Sequence, residues 1–542
     1  MTPPAWRTQL HDQFVARHPF PLDPFQLAAL DALDADRSVL VAAPTGSGKT
    51  VVAEYAIDRA LAQKGKAFYT TPIKALSNQK YGDLLRRLGA ARVGLLTGDN
   101  AINGDAPVIV MTTEVLRNMI YGSSHALRDL RYVVLDEVHY LQDQYRGPVW
   151  EEVIIHAPPQ VRLVCLSATV SNADELADWV TTVRGPTDAV VETRRPVELD
   201  NLYLVGDKSS PVLHLLPTLV DGRPNPEAGR LDAESLRSPR SGGRPRRRFY
   251  TPSRVDVVDR LAEEDLLPAI HFIFSRAACD DAVTACLDAG VRLTAPDERE
   301  RIRAIAEDYV ESLSDADLAV LRYGHWLSGL EAGVAAHHAG MVPPFKEAVE
   351  TCFAQGLVKV VFATETLALG INMPARTVVI EKLTKFTGER HEFLTPADYT
   401  QLTGRAGRRG IDARGHAVVL WSPFVPFEQV ASLAASRSFR LASAFRPTYN
   451  MAANLVQRYE AAEAHHLLNL SFAQYQTDRS VVALETRLEK RQTDLEAARQ
   501  AAICDRGDIV AYAVLVRAEA DERRRLSPSR AEVADAVARL KP

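Results

Sequence analysis

Phosphate chemistry is written into three short runs of this chain. The run Ala43-Pro44-Thr45-Gly46-Ser47-Gly48-Lys49-Thr50 combines two glycines, three hydroxyls and a lysine. Gly46 and Gly48 let a backbone wrap closely around an anion, because no Cβ obstructs it. A strand before the run and a helix opening near Thr50 would aim backbone N–H groups and a helix dipole at that anion. Lys49 would then reach the β- and γ-phosphates of a nucleotide, and the Thr50 hydroxyl would hold Mg²⁺. Ala43 stands where the strict pattern has its first glycine. The second run, Asp136-Glu137-Val138-His139, follows the apolar stretch Tyr132–Leu135. A carboxylate at the end of a buried strand lies beside such a loop in doubly wound folds. Asp136 is expected to hold Mg²⁺ through water, and Glu137 to orient or deprotonate the attacking water.

The third run, Gln401-Leu402-Thr403-Gly404-Arg405-Ala406-Gly407-Arg408-Arg409-Gly410, lies far downstream. Arg405 and Arg408 could neutralise charge that builds on a γ-phosphate, and Gln401 could hydrogen-bond the water or the phosphate. An RNA-phosphate patch is the competing reading of these arginines. Upstream, the Gln26 amide can pair with an adenine edge and Phe20 can stack on the ring. A helix N-terminus with a core phenylalanine explains the same residues without a ligand.

The elements that must position these groups are legible as patterns. Nearly continuous apolar runs at Val39–Ala42, Phe68–Thr71, Val108–Met111, Tyr132–Leu135 and Val161–Leu166 alternate with helical stretches. Such runs suit strands buried on both faces of a parallel sheet. The pattern returns at Ile270–Phe274, Val358–Phe362, Thr377–Ile380 and Ala417–Leu420, which makes two α/β lobes. A chain of 542 residues is too long for one core. The 46% hydrophobic and 25% charged composition suits a soluble globular protein. No apolar run reaches the ~18 residues of a membrane span, and the start lacks a signal-peptide core. The five cysteines are scattered without metal-ligand spacing, so a reducing, cytoplasmic setting is expected. With a net charge of −5, any nucleic-acid surface must be a local groove.

Between the lobes the periodicity fails. Residues 206–260 read as a flexible basic linker around Pro239–Arg248, either a solvated loop or a phosphate contact. Beyond about residue 425 the chain turns helical. Val481, Leu484, Leu488 and Leu495 form one apolar stripe, and Ile509, Tyr512, Leu515 and Val516 another, with a turn expected at Cys504–Asp508. Ser527-Pro528 offers a cap and first-turn proline for a further short helix. Charged residues flank Gly388 within Thr384–Leu394, which suggests a β-hairpin. The adjacent His337 and His338 diverge and have no third ligand, so they are not read as a metal site.

These runs, in this order, resemble DExH-box superfamily 2 helicases of the superkiller and exosome-associated branch. The matching residues extend through Thr71-Pro72-Ile73-Lys74, Leu96-Thr97-Gly98-Asp99, Met111-Thr112-Thr113-Glu114, Ser167-Ala168-Thr169, Phe274-Ser275-Arg276, His337–Gly340 and Phe362–Pro374. Phe445–Met451 and Ser471–Gln474 fit the same branch. The resemblance implies two tandem RecA-like domains, at 1–205 and 261–430, then a winged-helix-like region at 431–480 and a helical stalk at 481–542. It implies an ATP- and Mg²⁺-dependent 3′-to-5′ RNA helicase, with Gly370 also at the nucleotide. A DNA helicase and a non-hydrolysing RNA clamp are the rivals. Thr71, Pro72, Lys74, Gly98, Thr112, Thr113, Ser275, Arg276 and Thr364 would line a single strand or the 3′ tail of an RNA. Hydroxyls, amides and a few cations can grip its backbone without reading sequence. A strand-end cap is the alternative role of each single Ser or Thr. His139, Ser167 and Thr169 would couple that track to the ATP site, and the hairpin, through Phe386 or Phe393, would wedge a duplex apart. An RNA-degrading complex is an implied partner, and a monomer the expected state. The family's pattern continues past the point where this sequence stops, so ATPase activity is expected here with impaired unwinding.

Overall fold

The computed structural model describes residues 5–210, 213–236, 248–368, 373–386, 390–436, 438–501, 503–504 and 507–539. They fall into two compact units, Met1–Pro447 and Thr448–Pro542.

The first unit holds both α/β lobes. Strands β1 (Ser38–Ala42), β2 (Lys66–Thr71), β3 (Val93–Leu96), β4 (Ala101–Ile102), β5 (Val108–Thr112), β6 (Leu130–Leu135), β7 (Arg162–Ser167) and β8 (Thr187–Val191) form the first sheet. Their order is β4-β3-β5-β2-β6-β7-β1-β8, and every pairing is parallel except β3 with β4. All of β1 and β5 is buried, as expected of runs with no polar face. Helix Thr50–Ala62 packs its Val52, Ala53, Ala56, Ile57 and Ala60 into the core below the sheet.

The second sheet contains β9 (Glu198–Asp207), β10 (His214–Pro217), a short strand β13 (Phe249–Tyr250) against β9, and β14 (Ala269–Phe272). It is completed by β15 (Val334–His337), β16 (Val360–Ala363), β17 (Thr377–Ile380) and β20 (Arg414–Leu420). The order is β10-β9-β20-β17-β14-β16-β15. A two-stranded ribbon, β11 (Leu219–Val220) with β12 (Arg223–Pro224), stands apart, as does the hairpin of β18 (Thr384–Phe386) and β19 (His391–Phe393). Helix Pro396–Thr403 follows the hairpin directly.

The lobe boundary falls earlier than residue 205. Strand β9 pairs with β20 from Glu198↔Arg414 to Leu204↔Leu420, so the chain is already in the second sheet before the expected linker begins. Its ten residues alternate too weakly at Glu198–Asn201 for periodicity to mark a strand start. The flanks of the expected linker are also structured: β10 and β13 both pair with β9, and helix Pro226–Leu236 lies between them. Most of the basic run, residues 237–247, lies outside the described residues. Arg248 at its end is bonded bidentately to buried Asp207.

After helix Phe427–Ala435 the chain returns to the first lobe as an extended strap. Phe439 bridges Val170, and the Phe439 carbonyl accepts the Ser171 N–H at 2.8 Å. The Asn172 amide takes Leu441 at both ends, its Oδ1 accepting the Leu441 N–H at 2.8 Å and its Nδ2 donating to the Leu441 carbonyl at 2.9 Å. Ala444 N–H donates to the Leu141 carbonyl at 3.1 Å, and Ser443 donates to buried Glu151.

The second unit is helical. Tyr449–Arg458, Ala461–Asn469 and Phe472–Thr477 are short helices, and no strand occurs among the described residues 448–501. Helices Arg479–Ala501 and Ile509–Arg539 flank a two-stranded ribbon, Ile503–Cys504 paired with Gly507–Asp508. The second helix spans Ile509–Arg539, Ser527-Pro528 included, so the further short helix expected to start there is part of the same element. Leu484, Leu488, Leu495, Tyr512 and Leu515 are exposed. No helix among the described residues is long and apolar enough to cross a membrane.

Replacing Asn172 with Ala leaves the Leu441 amide and carbonyl without that partner. We expect a local loss of about 1–3 kcal/mol, and hence amide exchange at Ser171 and Ala444 faster by roughly 5- to 150-fold. Unchanged exchange would mean that the strap is held by other contacts.

Candidate nucleotide and nucleic-acid site

All of the phosphate-chemistry residues of the first lobe sit at the C-terminal ends of parallel strands. The glycine loop follows β1, Asp136 follows β6, and Ser167-Ala168-Thr169 closes β7; in the sheet these strands are neighbours. Gly46 and Gly48 have φ of +81° and +87°. The positive φ favours glycine at both positions, and at Gly48 a Cβ would also stand 2.7 Å from the Gln26 Nε2, which would have to give way. Lys49 Nζ donates to the Ala43 carbonyl at 2.5 Å and the Pro44 carbonyl at 3.2 Å. Thr50 Oγ1 accepts from Lys80 at 3.2 Å, and Ser47 is buried.

Burial pulls the Lys49 ammonium below its ordinary pKa, although Glu137 and Asp136 oppose it. Asp136 is pushed the other way, first by burial and then by Glu137, while it accepts a hydrogen bond from Tyr69 at 2.7 Å. The Lys49 ammonium and the loop amides can face phosphate oxygens, while the Asp136 carboxylate and the Thr50 hydroxyl can face a divalent cation, the two halves a magnesium–phosphate group requires. The chemistry of Thr50, Asp136, Lys49 and the glycine loop therefore fits that group.

Glu137 has left-handed backbone, φ +55°, which turns the chain sharply into the short 3₁₀ helix Val138–Gln142. This places His139 inside, 2% exposed. Its Nδ1 lies 3.2 Å from the Ala168 N–H, a group that can only donate. Nδ1 is thus the acceptor and the ring proton sits on Nε2. The Gln401 amide of the second lobe lies 2.7 Å from Nε2 and so must present its oxygen there. Phe439 of the strap packs edge-on to the same ring, with centroids 6.1 Å apart. Burial, then Lys49, lowers the His139 pKa to about 3 and keeps the imidazole neutral.

The cleft between the lobes is lined by Thr45, Pro72, Glu137, His139, Tyr140 and Ala168 from the first and Ala368, Gln401 and Arg405 from the second. Arg405 is buried, donates to the Ala368 carbonyl at 2.5 Å, and is drawn below its ordinary pKa by burial against the pull of Glu137. Gly404 is close-packed on Thr45: a Cβ there would come within 3.1 Å of the threonine side chain. Arg408 points elsewhere. It is bound bidentately to Asp412, with bonds of 2.8 and 2.9 Å. Burial would raise the Asp412 pKa, but Arg408 and Arg376 outweigh it and hold the acid at about 2.

The neighbouring Arg409, which sequence reasoning passed over, reaches the glycine loop. It donates to the Ser47 carbonyl at 3.0 Å and to Asp23 at 3.0 Å. The arginine pair Arg408-Arg409 was its only signal. Gln26 is buried, with Oε1 accepting from Asp23 N–H at 2.8 Å and Nε2 donating to the Gly48 carbonyl at 2.9 Å. Phe20 is exposed beside His18. Gly370 lies outside the described residues. Tyr69, which bonds Asp136, and Lys80, which bonds Thr50, were not singled out from sequence, and nothing in sequence marks the buried Tyr69 hydroxyl.

The expected strand contacts occupy the other half of the first sheet, at the ends of β3, β5 and β2. Thr71, Pro72 and Lys74 follow β2, Gly98 follows β3, and Thr112 and Thr113 end β5. Thr71 Oγ1 bonds Ser77 Oγ at 2.7 Å, and Thr113 Oγ1 donates to the Thr71 carbonyl at 3.3 Å; both side chains are buried. Their hydroxyls hold the backbone, so solvent-facing binding would fall to main-chain groups and to Lys74. Exposed Lys74 pairs with exposed Asp99 at 2.8 Å, a contact weak enough to exchange for phosphate. Arg146, not singled out from sequence, donates to the Pro72 carbonyl at 2.8 Å. In the second lobe Ser275 and Arg276 follow β14 and Thr364 follows the adjacent β16. Ser275 Oγ caps helix Arg276–Asp288, and Arg276 is exposed. His337 and His338 pair with separate carboxylates, Glu350 at 2.9 Å and Asp280 at 3.0 Å.

Comparison with known proteins agrees with this layout. Residues 23–176 match the DEAD/DEAH box helicase family and residues 309–410 the helicase conserved C-terminal domain. The chain belongs to the DExH-box helicases, in their superkiller-like branch. It is 56% identical over 489 residues to the probable helicase HelY of Mycobacterium tuberculosis, an alignment covering 88% of this chain and 54% of that protein. It is 37% identical over 511 residues to the human exosome RNA helicase MTR4, covering 91% of this chain and 47% of that protein. The chain thus spans about half the length of the curated relatives it matches.

A neutral His139 has a sign that can be checked. Below about pH 6.5 the unfolded chain takes up a proton that the folded ring refuses, so stability should fall as pH drops toward about 3; above 6.5 this group adds no pH dependence. Imidazole ¹⁵N shifts of His139 should stay at neutral values from about pH 8 to about pH 5. A midpoint near the ordinary histidine value would refute the buried neutral ring.

Proposed function

We propose that this chain is a nucleic-acid-stimulated ATPase that moves 3′-to-5′ on single-stranded RNA, hydrolysing ATP with Mg²⁺ between its two lobes. The observation that carries the reading is the cleft in which Glu137 and His139 of one lobe meet Gln401 and Arg405 of the other, beside the glycine loop. In this reading Lys49 and the loop amides bind the β- and γ-phosphates. Thr50 and, through water, Asp136 would hold Mg²⁺, which would supply positive charge beside the phosphates. Glu137 orients the attacking water, and Arg405 balances charge growing on the γ-phosphate, a role worth on the order of 10³–10⁵ in rate. Arg408 would first have to leave Asp412 to serve there. A pure clamp has no need of a water-orienting carboxylate facing an arginine, which favours turnover.

RNA as the track, and the polarity, follow from the branch. The human relative's printed name attaches RNA and an exosome to that protein, and an RNA-degrading complex is the partner class we infer here. The four described cysteines are free and buried, which fits a cytoplasmic enzyme. We take it to act as a monomer. The hairpin with exposed Phe386 and Phe393 is the proposed wedge at a duplex junction.

Steady-state ATP turnover without nucleic acid, with single-stranded RNA and with DNA of the same sequence tests this. Stimulation by RNA is expected to exceed that by DNA. Equal stimulation would make it a motor indifferent to the sugar, and no turnover would leave a clamp. Glu137→Gln should lower turnover by about 10²–10⁴ while leaving ATP affinity within a few-fold; unchanged turnover would remove Glu137 from its role.

A further inference from the structure

Lys385 sits on the first strand of the hairpin, with its ammonium between two carboxylates. Glu365 Oε1 is 2.7 Å away and Asp398 Oδ1 3.0 Å. The three side chains are mostly covered, at 23%, 33% and 17% exposure. Burial alone would lower the lysine pKa, yet Asp398 and Glu365 more than compensate and raise it, so the charge is held.

Each carboxylate belongs to a different working part. Glu365 follows Thr364 at the end of β16, on the expected nucleic-acid track. Asp398 closes the first turn of helix Pro396–Thr403: its Oδ2 accepts from the Thr395 N–H at 2.9 Å and the Thr395 hydroxyl at 2.8 Å, leaving Oδ1 for Lys385. That helix carries Gln401 about one turn further on, and Gln401 meets His139 across the cleft. A helix turn is stiff, so a shift of Gln401 is a shift of Asp398.

Strand geometry decides what Lys385 holds. The register pairs Thr384 with Phe393, Lys385 with Glu392 and Phe386 with His391. Side chains alternate along a strand, so Phe386 and Phe393 share one face and Lys385 stands on the other. A hairpin of three residue pairs is marginal by itself and takes its pose from its anchors. The Leu394 N–H bond to the Leu383 carbonyl at 2.8 Å closes its base, and the Lys385 ion triad fixes its inner face.

We propose that Lys385 is a positioning residue that locks the strand-separating hairpin to the helix bearing Gln401, so that closure of the cleft on ATP is delivered to Phe386 and Phe393. This rests on the helicase reading above. Lys385 is not among the residues that line the cleft, so its loss should separate hydrolysis from strand opening.

The test uses the full chain, a 3′-tailed RNA duplex carrying 2-aminopurine at the first base pair, and two readouts: strand-stimulated ATP turnover and the ATP-dependent rise in junction fluorescence. Lys385→Met should keep turnover within about twofold and lower the junction signal by about 5- to 150-fold, the span of a typical coupling energy. Lys385→Arg should restore at least about half of it, since the arginine can still bridge both carboxylates. A Lys385→Met protein with an unchanged junction signal would overturn the proposal. So would equal loss of both readouts, or a wild-type chain that turns over ATP with no ATP-dependent opening. A wild-type chain without strand-stimulated turnover would instead sink the helicase reading, and this proposal with it.

Discussion

One buried ring joins the parts of this protein. The His139 imidazole receives the Ala168 N–H from β7, faces Gln401 of the second lobe and is covered by Phe439 of the returning strap. Because neither ring nitrogen can be left bare in so dry a place, its tautomer is fixed by the one partner that cannot change role. A charged ring would demand different partners on both sides. The neutrality of His139 therefore makes this one contact between the lobes uncharged, alongside the Arg409–Asp23 ion pair.

Around that ring the first sheet divides its labour by strand order. β6, β7 and β1 end in phosphate-chemistry residues, and β2, β5 and β3 end in those expected to meet a strand. The division runs between β2 and β6, which are hydrogen-bonded neighbours, and Tyr69 on β2 bonds Asp136 after β6 across it. A displacement at one group of strand ends has a direct mechanical path to the other.

The arginine run shows how a shared motif is apportioned by local geometry. Arg405 lies in the cleft, Arg408 is held by Asp412 within its own loop, and Arg409 is bound to the glycine loop and Asp23. Three guanidinium groups within five residues thus serve three different contacts. Charge type alone could not have assigned them, since each fits phosphate equally well.

The sequence by itself determined the two α/β lobes, the glycine loop, the carboxylates after β6 and the hairpin of β18 and β19. Each depends on local signals: unbroken apolar runs, glycines with positive φ, turn residues between short strands. What only the tertiary structure decided was which chain segment neighbours which. Strand β9 joins the second sheet because β20 offers it an edge, a long-range pairing with no local mark at Glu198. The strap pairs with Val170–Asn172 across more than 260 residues of sequence. Arg409 rather than Arg408 reaches the glycine loop, and the Gln26 amide is spent on Asp23 and Gly48, because those partners were brought within bonding distance by the packing of whole lobes. Composition and spacing report what a residue can do; distance, burial and competing partners decide what it does.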